Sequence, residues 1–242
     1  MGVSARGRAA VAGTGVLVIL LGACTSGAGP AAPESSAESD KSEKHVRHTE
    51  PLSRAQLKKL LLTRNDELDT EYRRSWDTTT SGKDWKASEP ECQPLVDGIR
   101  PWTTDRAGAR ASRRFVKTPE DFVSVILVSY PSVKDASDVM SSLSSSTKAC
   151  ASAFRAGETP EDSDPYRGVK RRAGPDEGDQ ALSYYLRTVS YAEDRHEFPH
   201  LFVHVRVGNL IVTFSRYGSY RPGDNTIPPH LITSQVDKIQ TT

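Results

Sequence analysis

The 242-residue chain has no apolar run long enough to cross a membrane as a helix, a span that takes about 20 residues. Its best internal candidate, Phe122 to Tyr130, stops after nine residues and is rich in β-branched side chains, which suits a buried strand. Neither sign of charge is in excess. With 32 Lys and Arg against 31 Asp and Glu, no net field recruits nucleic acid or anionic lipid, and nucleic acid is excluded as a partner. There is no G-x-S-x-G, no phosphate-cradling glycine loop and no Cys/His cage, so the usual signatures of α/β-hydrolases, nucleotide binders and structural zinc are missing. No repeat with a period of about 20 to 50 residues is visible, which argues against a stacked array. Cysteine is scarce: Cys24, Cys92 and Cys150 make an odd count that cannot all pair within one chain.

What is present starts at the N-terminus. Arg6 and Arg8 precede the apolar stretch Val16 to Leu21, and the small residues Gly22 and Ala23 lead to Cys24. Residues 1–23 therefore read as a secretory signal, and Ala9 to Ala23 is too short to span a bilayer comfortably. Leu21-Gly22-Ala23-Cys24 is similar to the lipobox of bacterial lipoproteins. That resemblance implies a diacylglyceryl thioether on the Cys24 sulfur, cleavage just before it, and a lipid anchor on the extracytoplasmic face of the cell membrane. An ordinary uncleaved anchor, or a cysteine there by chance, is the plain alternative. Cleavage removes two arginines and no acid, so the formal charge passes from +1 to −1.

Spending Cys24 on the lipid leaves Cys92 and Cys150 as a couple, and outside the cytoplasm a couple is expected to be oxidised. Two buried free thiols are the alternative. Residues 24–50 form the lipidated cysteine and a tether. Thr25 to Glu50 is Ser, Ala, Gly, Pro and mixed charge, with Val46 its only large aliphatic residue, too little apolar surface to offset ordering. A flexible chain of that length spans roughly 25 to 30 Å. His45 and His48 lie in it without a third ligand nearby and are not assigned to a metal.

Residues 51–242 read as one domain. Ser53-Arg54-Ala55-Gln56 fits a capping box ahead of Leu57, Leu60 and Leu61. Asp66 to Glu91 reads as a long loop whose Trp76 and Trp85 pack on the body or rim a groove. Cys92, Leu95, Val96 and Ile99 share one face of a short helix. Arg113 to Lys117 and Phe122 to Tyr130 follow as strands, the second apolar on both faces and hence central. After an N-cap at Ser132, a helix runs to about Phe154 with Cys150 on its apolar stripe. Residues 155–180 read as a charged loop with a short edge strand at Tyr166 to Arg172, where Lys170, Arg171 and Arg172 form a solvated surface. In the strand Ala181 to Ser190, Leu182, Tyr184, Leu186 and Thr188 share a face. A two-residue turn at Gly208-Asn209 pairs Val207 with Leu210, Val205 with Val212 and Val203 with Phe214, and puts all six on one face. Phe202, His204, Arg206, Ile211 and Thr213 fall on the other, to be covered by a helix or left as the wall of a shallow groove. Pro228 to Gln240 is a last amphipathic helix.

Two patterns look catalytic. His196-Glu197-Phe198-Pro199-His200 reads as H-E-x-x-H, which works as a zinc site only on a helix. Pro199 inside a helix costs about 3 kcal/mol. On a strand, His200 and His204 stand some 13 Å apart, at about 3.3 Å per residue. Ser145-Ser146-Thr147-Lys148 reads as S-x-x-K, but Ser137-Asp138 runs on to Val139 and Lys117-Thr118 to Pro119, so its partner motifs fail. No residue is assigned to catalysis, to a metal or to a cofactor.

The order of elements is similar to the PknH-like extracellular sensor domains of actinobacterial receptor kinases and stand-alone lipoproteins. The features that carry the likeness are the lipobox and Ser-rich tether, an opening helix with Leu60-Leu61-Leu62, the Pro90-Glu91-Cys92 lead-in to a short helix, a strand running into a helix that contains Ala136 and ends at Cys150, and Val205-Arg206-Val207-Gly208-Asn209 before a final helix. The resemblance implies an α+β domain, helices against a largely antiparallel sheet, no catalysis, and a cleft that receives a ligand. Family domains often carry two disulfides, whereas this chain can make one. The expectation is a membrane-anchored, non-catalytic protein that binds a small molecule, lipid or envelope component through its domain. A structural or interaction subunit of the envelope is the second reading, and an unrecognised hydrolase the third.

Overall fold

Gly208 and Asn209 make the tight turn that the alternation around them demands. Gly208 takes φ +61°, a left-handed conformation that glycine adopts without penalty. Around it Val207 pairs with Leu210, Val205 with Val212 and Val203 with Phe214, and all six side chains are buried in one cluster. The computed structural model describes residues 47–63, 66, 72, 74–78, 84–100, 107–118, 121–189, 197–217 and 226–242. Cys24, His45 and His196 lie outside them, as do most of the tether and the turn residues between the first two long strands.

This hairpin, β8 (Glu197–Val207) and β9 (Leu210–Tyr217), is the middle of an antiparallel sheet that has nine strands among the described residues. The other strands are β1 (Arg74–Asp77), β2 (Lys86–Ala87), β3 (Arg110–Thr118), β4 (Asp121–Ser129), β5 (Phe154–Gly157), β6 (Ser163–Arg172) and β7 (Gln180–Val189). Their order across the sheet is β1-β3-β4-β9-β8-β7-β6-β5-β2. The fold is α+β with an antiparallel sheet, as the family resemblance implies. Among the described residues four α-helices cover the two faces: α1 (Arg54–Leu60), α2 (Gln93–Ile99), α3 (Val133–Ala149) and α4 (Pro229–Thr241).

One face buries Leu57 and Leu60 of α1, Leu61 just after it, and Leu231, Val236 and Ile239 of α4 against Phe115, Val125, Val205 and Phe214. The capping box forms as read: the Ser53 side chain accepts from the Gln56 amide and the Gln56 side chain accepts from the Ser53 amide. The opposite face buries Leu95 and Val96 of α2 and Ala136, Met140 and Leu143 of α3 against Ile126, Val128, Leu186 and Ile211. Cys92 and Cys150 are joined by a disulfide, with Cα atoms 5.8 Å apart, and both are buried in this second cluster.

The structure corrects the sequence reading in three places. The long loop Asp66 to Glu91 contributes two short edge strands: β1 pairs with β3, and β2 pairs with β5. Pairing from distant sequence, reinforced by ion pairs from Arg113 and Lys58 to Asp77, imposes strand on a stretch with little intrinsic preference for it. The helix meant to reach Phe154 ends at Ala149, because the Val169 amide donates to the Cys150 carbonyl at 3.0 Å and terminates it. Phe154 then opens β5. The strand expected on an edge at Tyr166 to Arg172 starts at Ser163 and lies between β5 and β7, with an irregular register between Tyr166 and Val169.

Packing of the described body extends to His48. Its carbonyl accepts from the Asn209 amide at 2.8 Å, and its Nε2 lies 2.8 Å from the Ile239 carbonyl near the end of α4.

Candidate functional site

The mixed face of the β8–β9 hairpin becomes both a covered surface and a cleft. α2 and α3 cross it, tied at one end by the Cys92–Cys150 bridge, and between them and the sheet lies a cavity of about 60 Å³. Val128, Ile211, Thr213 and His204 belong to its sheet side, Gly98, Val139 and Leu143 to its helix side. α2 comes close because residue 98 has no side chain: a Cβ there would stand 2.6 Å from Leu143 Cδ2 and 3.5 Å from His204 Cε1. Asp97, Tyr130 and Ser142 add polar groups.

His204 anchors a buried polar network. Its Nδ1 is 2.9 Å from Thr213 Oγ1 and its Nε2 is 3.1 Å from the Tyr184 hydroxyl. The rings of Tyr184 and His204 stack at 5.5 Å, and Phe202 stacks on both. Burial pulls the His204 pKa down to about 3 and that of His200 to about 4, so both imidazoles are neutral at physiological pH. Burial also drives the Tyr184 phenol up and Tyr130 up to about 12. With both ring nitrogens of His204 engaged and the phenols held protonated, the cavity offers a neutral, mostly apolar surface with hydroxyl and imidazole dipoles.

The catalytic-looking patterns are pulled apart. Glu197 opens strand β8 rather than a helix, and the Phe202 ring stands between His200 and His204 at 6.5 and 6.3 Å. Among the described residues no three His, Cys, Asp or Glu side chains gather where a metal ion could be held. Ser145 and Lys148 are both exposed on α3, while the buried Ser146 donates to the Glu91 carbonyl at 2.7 Å and serves packing. Sequence reasoning placed His204 and Thr213 on one face but missed Tyr184 as their partner. The signal lies in the register of β7 on β8, where Leu182 faces His204 and Tyr184 faces Phe202, and the connection between those strands carries no turn motif that would set it.

The family model of the PknH-like extracellular domain matches residues 52–217. The chain belongs to the PknH-like extracellular domain family. The extracellular domain of PknH from Mycobacterium tuberculosis shares its fold, with a TM-score of 0.55 at 13% identity, over 79% of this chain and 98% of that one. An uncharacterised protein from Mycobacterium smegmatis aligns over 76% of this chain and 94% of its own, at 10% identity and a TM-score of 0.40. No curated protein matches the sequence. Membership agrees with an extracellular sensor-type domain, and no described helix is long and apolar enough to cross a membrane.

Proposed function

We propose that this PknH-like protein is a non-catalytic lipoprotein, anchored through Cys24 to the extracytoplasmic face of the cell membrane, whose domain binds a small, mainly apolar ligand in the cleft beneath α2 and α3. The observation that carries the reading is the neutral Tyr184–His204–Thr213 network beside an apolar cavity. A buried hydrogen-bonded network of this kind fixes orientation, while the apolar lining supplies affinity. The domain is read as residues 51–242 and residues 24–50 as its link to the anchor, the end of that link packing on the domain at His48.

Mass spectrometry of small molecules that copurify with the full chain from its native host tests the ligand. Gly98→Ala puts a methyl group against Leu143 and His204, and is expected to reduce the recovered ligand several-fold while leaving the circular dichroism spectrum unchanged. Equal recovery with the variant would remove the cleft from the proposal. Cys24→Ser is expected to move the protein from the membrane fraction to the soluble one with no change in its unfolding midpoint, and a variant that stayed in the membrane would refute the lipid anchor.

A structural or protein-interaction subunit of the envelope is the second reading. It is favoured by Trp76, which is 45% exposed on the edge strand β1.

A further inference from the structure

Beyond the part of the sheet that α2 and α3 cover, the same face continues as a row of directly paired residues. Trp76 on β1 faces Arg114 on β3, Arg114 faces Ser124 on β4, Ser124 faces Ser215 on β9, and Ser215 faces Phe202 on β8. Side chains paired in this way stand about 5 Å apart at Cβ.

Arg114 is the unusual member. It is half-buried, its Nε is sealed from solvent without a hydrogen-bond partner, and no described residue takes a hydrogen bond or ion pair from its guanidinium. Comparable arginines of this sheet are engaged. Arg113, next in sequence and on the other face, holds Asp77 and the Leu62 carbonyl; Arg206 holds Asp179 and Gln180; Arg216 holds Asp121. Arg114 instead lies flat over the Phe122 ring, with Cζ 4.2 Å from the centroid. Stacking occupies a face of the guanidinium; its Nε–H has no acceptor, and its terminal N–H groups stay open to solvent. A partly buried guanidinium with no counter-charge beside it favours an incoming carboxylate, which its terminal N–H groups can meet with two parallel hydrogen bonds.

The neighbours narrow the ligand further. Ser215 is 7% exposed, and neither its hydroxyl nor that of Ser124 is hydrogen-bonded to a described residue. Trp76 presents an exposed indole at the end of the row. A fork for a carboxylate, two idle hydroxyls and an aromatic plate together match a sugar ring bearing an acid group: the hydroxyls meet its alcohols, and the indole meets its C–H face. We propose that Trp76, Arg114, Ser124 and Ser215 form a binding strip for a carboxylated saccharide, with Arg114 on the carboxylate. The strip is distinct from the cleft and does not depend on it.

The test is calorimetric titration of the full chain in detergent micelles with a glucuronate-containing tetrasaccharide, with its carboxyl-reduced counterpart and with inorganic phosphate. Saturable binding of the acidic sugar is expected. The reduced sugar and the Arg114→Met and Trp76→Ala variants should each bind at least about tenfold more weakly, as the loss of a charge-assisted pair or an aromatic contact predicts. Arg114→Lys keeps the charge without the fork and should fall between, which decides the matter if Arg114→Met fails to fold. Equal affinity for the reduced sugar, competition by phosphate at the same concentration as the sugar, unaltered binding by Arg114→Met or Arg114→Lys, or no binding of the acidic sugar would each overturn the proposal. Because these probes lack an apolar body, a negative result leaves the cleft's ligand to its own test.

Discussion

Acidification from pH 7 to about 4.5 is expected to remove on the order of 5 kcal/mol of stability, most of it before the carboxylates titrate. His204 and His200 are buried and neutral in the fold, with pKa values lowered to about 3 and about 4, whereas in the unfolded chain they titrate near 6.5. Below about pH 6.5 the unfolded state therefore binds two protons that the native state refuses. Stability is complete above that value and falls with pH by about 1.4 kcal/mol per unit for each group, until the folded pKa is reached. Asp77, held below its ordinary range by hydrogen bonds from Lys58 and Arg113, adds its loss only at lower pH, which separates the two windows. Urea midpoints at pH 7, 6 and 5 give the measurement. In His204→Gln the slope should be about half that of the parent. A midpoint that stayed flat from pH 7 to pH 5 would show that these imidazoles are not sealed in the folded protein.

Replacing both Cys92 and Cys150 with Ala is expected to destabilise the domain by about 4 kcal/mol, the chain-entropy value for a closed loop of this size. The bridge links residues 58 apart and constrains the unfolded chain across α2, β3, β4 and α3. Both sulfurs are buried in the second cluster, so the variant also loses packing where α2 and α3 meet. The expected readout is a fall in the urea midpoint of the parent when reductant is added, and no response to reductant in the double variant. A parent indifferent to reductant while unfolded, with two titratable thiols, would contradict the bridge.

How much of this was legible beforehand follows from how local each signal is. The hairpin was readable because a two-residue turn and strict alternation fix each other, so Val203 to Phe214 fell onto one face in the right pairs. The cysteine couple was readable because reading Cys24 as the lipidated residue of an exported chain leaves two to pair, and the sequence pattern put each on a helix stripe. The short strands β1 and β2 were not, since their residues become strand only by pairing with β3 and β5. The end of α3 was hidden for a related reason: the amide that terminates it comes from Val169, nineteen residues past Cys150. Half of the cleft was visible, because alternation placed His204 and Thr213 together and left the choice between helix and groove open. Tyr184 and Gly98 were invisible in that role, as both depend on how distant elements dock. The Arg114 row needed the register of five strands at once.

The contacts of His48 determine how the domain answers to tension. β8 and β9 are the middle strands of the sheet, and His48 is fastened to their turn through Asn209 and to the end of α4 through Ile239. A pull arriving along the chain ahead of His48 therefore enters at the turn of the two central strands, each paired on both sides, and not at the short edge strands β1 and β2. The two hydrogen bonds at His48 are the first that such a load meets.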